Sequence, residues 1–284
     1  MSALPRRVVA IIGSGGMGIA SARRLASGKT LLLADFSQQN LDMAAATLRS
    51  DGHNVQTHLV DVADFGSVQS FAAKAKPDEQ TIIDAIVHTA GLSPAMAPPQ
   101  RIFDVDLLGT ANVIDAFLPF VSPGSSLTCI SSMARFGARP SGELAAHLAT
   151  APRETLLDRP ELKETIEKKD SATAYSLSKA GNTLRVQAAA RAFAERGARI
   201  NSISPGVILT AMVKQELESE HGATVRRIIE GSPLKRGGTA DEIAAAVAFL
   251  AGPEAAFITG TDLLVDGGTI AGNAGALMAG GGKK

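Results

Sequence analysis

A short β-branched run, Val8–Ile12, breaks into Gly13-Ser14-Gly15-Gly16-Met17-Gly18 and passes at once into the alanine-rich stretch Ile19–Ala26. Few folds admit that order. An apolar run without alternation suits a parallel strand covered on both faces. Glycines at its end let the N–H groups of a helix N-terminus come close to a phosphate. Glycines alone would more often mark a flexible turn. Here a second run, Thr30–Ala34, ends in Asp35, about 20 residues past the first glycine, where such sheets place a ribose-binding carboxylate. The expectation is an α/β chain that holds a dinucleotide through Gly13, Ser14, Gly15, Gly18 and Asp35.

The alternation of strand and helix patterns continues. Strands are expected at Val55–Val60, Ile82–His88, Ser125–Ile130, Arg199–Ser204 and Thr261–Val265, and helices at Leu41–Arg49, Ser67–Lys76, Arg101–Phe117, Ala174–Arg196 and Asp241–Leu250. Asp61-Val62 follows the third strand, where a carboxylate lies along an adenine pocket or caps the next helix. Thr89-Ala90-Gly91 ends the fourth strand with residues small enough for a cofactor floor. Ser131-Ser132 ends the fifth, at the sheet edge where ligands bind. From Thr269 the chain is rich in Gly and Ala, expected to be disordered unless a neighbouring subunit holds it.

With 284 residues, 45% of them hydrophobic, the chain can bury a sizeable core, and one domain over 1–284 is the default. Lys plus Arg balances Asp plus Glu at 28 each, so no global field draws nucleic acid or an acidic membrane surface. The N-terminus runs into a strand without an apolar signal core, and no apolar run approaches the roughly 20 residues of a membrane helix. A cytoplasmic protein is expected. The single cysteine, Cys129, falls in an apolar run and reads as a buried, inert thiol. His53, His58 and His88 lack metal-ligand spacing, and no metal is expected.

Tyr175-Ser-Leu-Ser-Lys179 carries the chemistry. Four residues apart on a helix, the lysine ammonium can sit beneath the phenol. A free tyrosine has a pKa of about 10, and a nearby cation favours the phenolate and proton exchange with an alcohol. By itself Tyr-x-x-x-Lys arises by chance in many helices.

Together with the glycine turn, Asp35, Asp61-Val62, Ala90-Gly91, Ser132, Pro205-Gly206 with Thr210, and Asp266-Gly267-Gly268, the motif makes the chain resemble the short-chain dehydrogenase/reductase family from about Val8 to Gly268. The resemblance implies a single Rossmann-type, doubly wound parallel sheet of about seven strands. It implies Tyr175 as general acid/base, Lys179 on the nicotinamide ribose and lowering the tyrosine pKa, and Ser132, in preference to Ser131, on the substrate oxygen. Pro205, Ile208 and Thr210 would border the nicotinamide, the last two meeting its carboxamide. The cofactor expected is NAD, because Asp35 repels a 2′-phosphate and Phe36-Ser37-Gln38-Gln39 supplies no local cation.

Three features depart from the family pattern. Ala20 stands where the turn usually has its last glycine. Asp106 replaces the asparagine of a proton relay; it can offer its backbone carbonyl to a water or pair its carboxylate with Lys179. The gap from Ser132 to Tyr175 is unusually long. The insert, about 134–172, holds two expected short helices, in Gly142–Ala149 and Glu161–Lys169, and is similar to one in bacterial 3α-hydroxysteroid dehydrogenase/carbonyl reductases of the family. Leu144, Leu148, Leu156 and Leu157 would cover a substrate if the insert folds back, and its bulk would limit subunit pairing; a solvated surface excursion is the plainer alternative. His147 is expected on an amphipathic face. The activity expected is NAD(H)-dependent interconversion of a secondary alcohol and a ketone, apolar or cyclic, such as a hydroxysteroid, in a homodimer or homotetramer. Rivals are epimerisation or dehydration on the same scaffold, and a dinucleotide sensor without turnover.

Overall fold

In the computed structural model, which describes residues 5–218 and 222–272, the expected strands form one parallel sheet. They are β1 (Arg6–Ile12), β2 (Thr30–Asp35), β3 (Asn54–Leu59), β4 (Thr81–His88), β5 (Ser126–Ile130), β6 (Arg199–Pro205) and β7 (Asp262–Val265). Their order is β3-β2-β1-β4-β5-β6-β7. The order reverses between β1 and β4, so the loops leaving those strands diverge and open a crevice at their carboxyl ends. Thr89 N donates to Ile12 O at 2.7 Å and Gly13 N to Ala34 O at 2.8 Å, which ties the two sides of that crevice to the sheet.

The unbroken apolar run of β1 has a simple cause. Val8, Ala10 and Ile12 join one buried layer with Phe71, Phe117, Val186 and Phe193. Val9 and Ile11 join the other with Ala22, Leu41, Leu48 and Val247. Alternate side chains of a strand point to opposite faces, and here both faces are covered. The first covering helices are α1 (Gly16–Leu25), α2 (Gln38–Ser50) and α3 (Phe65–Ala75). Ser37 caps α2 and Asp64 caps α3, so the capping role considered for Asp61 belongs to Asp64. Asp61 instead accepts a bond from Ala63 N.

The long helix expected over Arg101–Phe117 is interrupted. It consists of α4 (Pro99–Ile102), a π-helical stretch Phe103–Leu108, and α5 (Gly109–Phe117). Gly109 N reaches back five residues to Asp104 O, and Gly109 itself cannot carry a side chain, since a Cβ would lie 2.7 Å from Val62 Cγ2. Wide turns of this kind re-aim side chains at functional sites. Here Asp106 is fully buried.

The insert forms α6 (Gly142–Thr150) and α7 (Pro160–Glu167), followed by α8 (Ser171–Ala194), which starts three residues ahead of the expected boundary with Asp170 as its cap. Leu144, Leu148, Leu156 and Leu162 pack on Ile102, Phe103, Leu107, Ala174 and Leu177 as a third apolar cluster. Arg185 donates to the carbonyls of Leu148 and Ala151, and His147 bonds the Leu156 carbonyl at 3.0 Å. The insert's apolar side chains therefore cover the helices on which it sits, as a packed layer. Leu148→Ala is expected to cost about 2–5 kcal/mol of stability, as for other fully buried leucines; a denaturation midpoint equal to the parent's would show that the layer contributes little.

After β6 the chain forms α9 (Ala211–Glu218), α10 (Gly222–Gly231) and α11 (Ala240–Ala251); the first two had no counterpart in the sequence pattern. The tail is ordered further than expected. Asp266 accepts from Gly268 N and Ile270 N, Thr269 is buried, and Gly272 N bonds Gly268 O. The rest of the expected disordered tail lies outside the described residues.

Candidate functional site

The glycine turn is shaped by contact distances. Gly13 has φ +103°, in the left-handed region that favours glycine. A Cβ on Gly18 would collide with the Gly13 carbonyl oxygen, so α1 starts pressed against the turn, while Gly15 faces open space. No side chain caps α1 and no acidic residue stands in its first turn. The N–H groups of that turn have no intrahelical partners. Asp35 Oδ2 accepts from Ser14 N at 2.7 Å and Ser14 Oγ at 2.8 Å, and Oδ1 accepts from Ser37 N at 2.9 Å. Ser14 is buried and orients Asp35, and Asp35 Oδ1 keeps acceptor capacity toward the crevice.

A cleft of about 460 Å³ runs from this turn, within the roughly 300–1,000 Å³ of small-molecule sites. Gly13, Gly15, Asp35, Asp61, Val62, Ala90 and Gly91 line it, together with Phe36, Met96, Arg101 and Met212. Bare amides at a helix N-terminus, a glycine open to space and a fixed carboxylate one strand away fit the pyrophosphate and ribose of a dinucleotide. Thr210 lies against the turn, since a Cβ on Gly16 would be 3.2 Å from Thr210 Cγ2. Pro205 ends β6, and the adjoining Gly206 packs on Asp266. Ile208 is different. Its side chain is in the core beneath the sheet edge, and its carbonyl accepts from Thr210 N at 2.7 Å.

At the floor of the crevice the π-helical stretch meets α8. Asp106 Oδ2 and Lys179 Nζ form a 3.0 Å ion pair with the side chains 0% and 5% exposed. Asp106 Oδ1 accepts from Leu92 N at 2.8 Å. A Cβ on Gly91 would lie 3.1 Å from Lys179 Nζ and 3.2 Å from Asp106 Oδ2, so the pair borders the cleft where Gly91 leaves room. The Asp106 backbone carbonyl accepts the Thr110 hydroxyl at 2.7 Å. Of the two roles open to Asp106, pairing with Lys179 is the one the geometry displays.

Electrostatics at the pair follow from burial and proximity. Burial pushes the Asp106 carboxyl above the ordinary carboxylate range, against the pull of Lys179. For Lys179 burial opposes the charge, but Asp106 and Tyr175 together outweigh it and raise the ammonium above its ordinary value. The lysine stays protonated. His88 is buried nearby, bonded to Thr110 at 3.2 Å, and burial with the Lys179 charge pushes it down to about 3. Burial pushes the Cys129 thiol up to about 12, which keeps it unreactive at neutral pH.

Tyr175 is half-buried, its ring centroid 5.4 Å from Lys179 Nζ. Ser131 is buried and donates to the Lys179 carbonyl at 2.8 Å. Ser132 is half-buried and its Oγ accepts from Ala134 N at 3.1 Å, which leaves the hydroxyl proton for an outside acceptor. The two serines thus divide as scaffold and available donor. Among the described residues no group of three His, Cys, Asp or Glu side chains is arranged for a metal ion, and no helix is long and apolar enough to cross a membrane.

Comparison with known proteins agrees with this assembly. The profile of the family described as Enoyl-(Acyl carrier protein) reductase matches residues 11–149 and 164–269; the unmatched stretch lies inside the insert. The chain is 39% identical to the short-chain dehydrogenase/reductase bsc3 of Alternaria brassicicola, over 94% of this chain and 97% of the relative. It is 30% identical to a D-threitol dehydrogenase of Mycolicibacterium smegmatis, over 93% of each. A crystal structure of a short-chain dehydrogenase/reductase (glucose/ribitol dehydrogenase) from Brucella melitensis superposes with a TM-score of 0.71 at 26% identity, over 93% of this chain and 96% of that one. Sheet order, the tyrosine and lysine on α8 and these matches converge: the chain is an oxidoreductase and belongs to the short-chain dehydrogenase/reductase family.

Proposed function

We propose that the chain is an NAD(H)-dependent enzyme that interconverts a secondary alcohol and a ketone, with an apolar or cyclic substrate such as a hydroxysteroid. The observation that carries this is the buried Lys179–Asp106 pair beside Gly91, with the Tyr175 ring 5.4 Å from the ammonium. The nicotinamide, when bound, accepts or supplies the hydride. Tyr175 gives its phenolic proton to the substrate oxygen in reduction and takes it back in oxidation. Ser132 donates its free hydroxyl proton to the same oxygen and holds it at the phenol. Lys179, kept charged by Asp106, stands where negative charge develops on Tyr175 and is available to a ribose hydroxyl. A single-domain, cytoplasmic homodimer or homotetramer belongs to the same proposal. The one sheet supports the single domain, the lone buried thiol the reducing compartment, and family membership the homo-oligomer.

NAD⁺ or NADP⁺ offered with a panel of cyclic and linear secondary alcohols tests the proposal through nicotinamide absorbance. The expected result is turnover with NAD⁺ on apolar cyclic alcohols. Absence of turnover on every alcohol and ketone would sink it. Asp35 explains the cofactor preference, because a carboxylate held by Ser14 and Ser37 cannot turn away from a 2′-phosphate. Asp35→Ala with Phe36→Arg should therefore shift the ratio of kcat/KM values toward NADP⁺. A parent enzyme that already prefers NADP⁺ would overturn the role of Asp35.

A further inference from the structure

Two carboxylates, Asp35 and Asp61, line a cleft that fits an anionic cofactor. Among the described residues lining it, Arg101 is the one cation, Lys179 standing behind Gly91. It arrives from α4, far from the glycine turn in sequence. Its guanidinium forms an ion pair with Asp61 at 3.3 Å and lies 5.5 Å from the centroid of the Phe36 ring. Phe36 is 65% exposed, a large apolar face left open on the cleft rim. Asp61 is in turn fixed by Ala63 N at 2.9 Å, while its own N–H bonds Ser67 Oγ. The arrangement is built from three places in the chain: the turn after β2, the turn after β3 and the helix α4.

We propose that Arg101 positions the purine of the dinucleotide, its planar guanidinium held by Asp61 and set beside Phe36 as a stacking surface at the adenosine end of the cleft. The inference rests on the dinucleotide reading above. An isolated Asp61 would repel the cofactor's phosphates; paired, it becomes the post that orients Arg101. A guanidinium is flat, weakly hydrated and stacks on π faces, which an ammonium does not do. The charge of Arg101 also offsets Asp61 without placing a cation on Asp35.

Binding of ADP-ribose to the cofactor-free protein, followed by calorimetry, tests this without turnover. Arg101→Leu should raise its Kd about tenfold or more, the range for loss of a stacked base contact. Arg101→Lys keeps the charge for Asp61 but not the plane, and should lose most of the same affinity. Nicotinamide mononucleotide, which lacks the purine, should bind parent and variants alike, which a general distortion of the cleft would not allow. Parent-like affinity for ADP-ribose in Arg101→Lys would overturn the stacking role, and parent-like affinity in Arg101→Leu would overturn any role. A parent protein that fails to bind ADP-ribose would overturn the dinucleotide reading itself.

Discussion

Tyr175→Phe is expected to lower kcat by about 10² to 10⁴-fold, the usual contribution of a general acid/base group, while binding of ADP-ribose and thermal stability stay near those of the parent. The ring packs at the edge of the cluster containing Leu177 and Ala174, and phenylalanine preserves that packing. Among the described residues the phenol oxygen has no hydrogen-bond partner, so its removal breaks no bond inside the chain. What is lost is the proton. Ser132 and the Lys179 charge remain, so substrate still binds, but neither delivers a proton in line with hydride transfer. Steady-state kinetics alongside a calorimetric Kd separate the two effects. A variant that keeps kcat within a few-fold of the parent would remove Tyr175 from the chemistry.

The parallel sheet was legible because β1 and β2 end in residues whose chemistry depends on their position, Gly13 and Asp35, and because strands covered on both faces read as unbroken apolar runs. Tyr175 and Lys179 were legible as one face of a helix, but helical spacing singled them out only together with the glycine turn, Asp35 and Ser132. Other features were hidden for physical reasons. The π-helical stretch at Phe103–Leu108 leaves the apolar pattern of Arg101–Phe117 almost unchanged, since one extra residue per turn shifts faces only locally. Helices α9 and α10 come after Pro205-Gly206, which reads as loop, and they bury few side chains. Arg101 gave no local signal. Its place beside Phe36 follows from tertiary contact, which a search for basic residues next to Asp35 could not reveal. The insert's leucines were recognised as an apolar set. Their partners, Ile102, Phe103 and Leu107, lie on an element whose exposed or buried face could not be chosen before the fold was known.

Lys179→Met should have the largest effect on stability, because it strands the Asp106 carboxylate in a site that is 0% exposed. Removing one partner of a buried ion pair typically costs about 3–5 kcal/mol. The sign of the pH dependence follows from Asp106. Burial already raises its folded-state pKa, and Lys179 is the main opposing influence; without the lysine the carboxyl moves further up. Such a group keeps its proton in the folded chain where the unfolded chain has lost it. Stability therefore falls as pH rises from about 3.9 through the folded value. The deficit of Lys179→Met relative to the parent should be smaller under mildly acidic conditions, where Asp106 is neutral, and larger at and above neutrality. Lys179 itself has a raised folded pKa, so on the alkaline side the pairing in the parent is lost only as pH rises through that raised value, and on the acid side it is lost as the raised Asp106 carboxyl takes up its proton. Urea midpoints across this range measure the slope, and Lys179→Met with Asp106→Leu, which removes both charges, should recover most of the loss. Activity should not return in the double variant, since the cation beside Tyr175 is gone. A deficit that does not change with pH, or a double variant no more stable than the single one, would mean that the 3.0 Å pair is not what holds the π-helical stretch against α8.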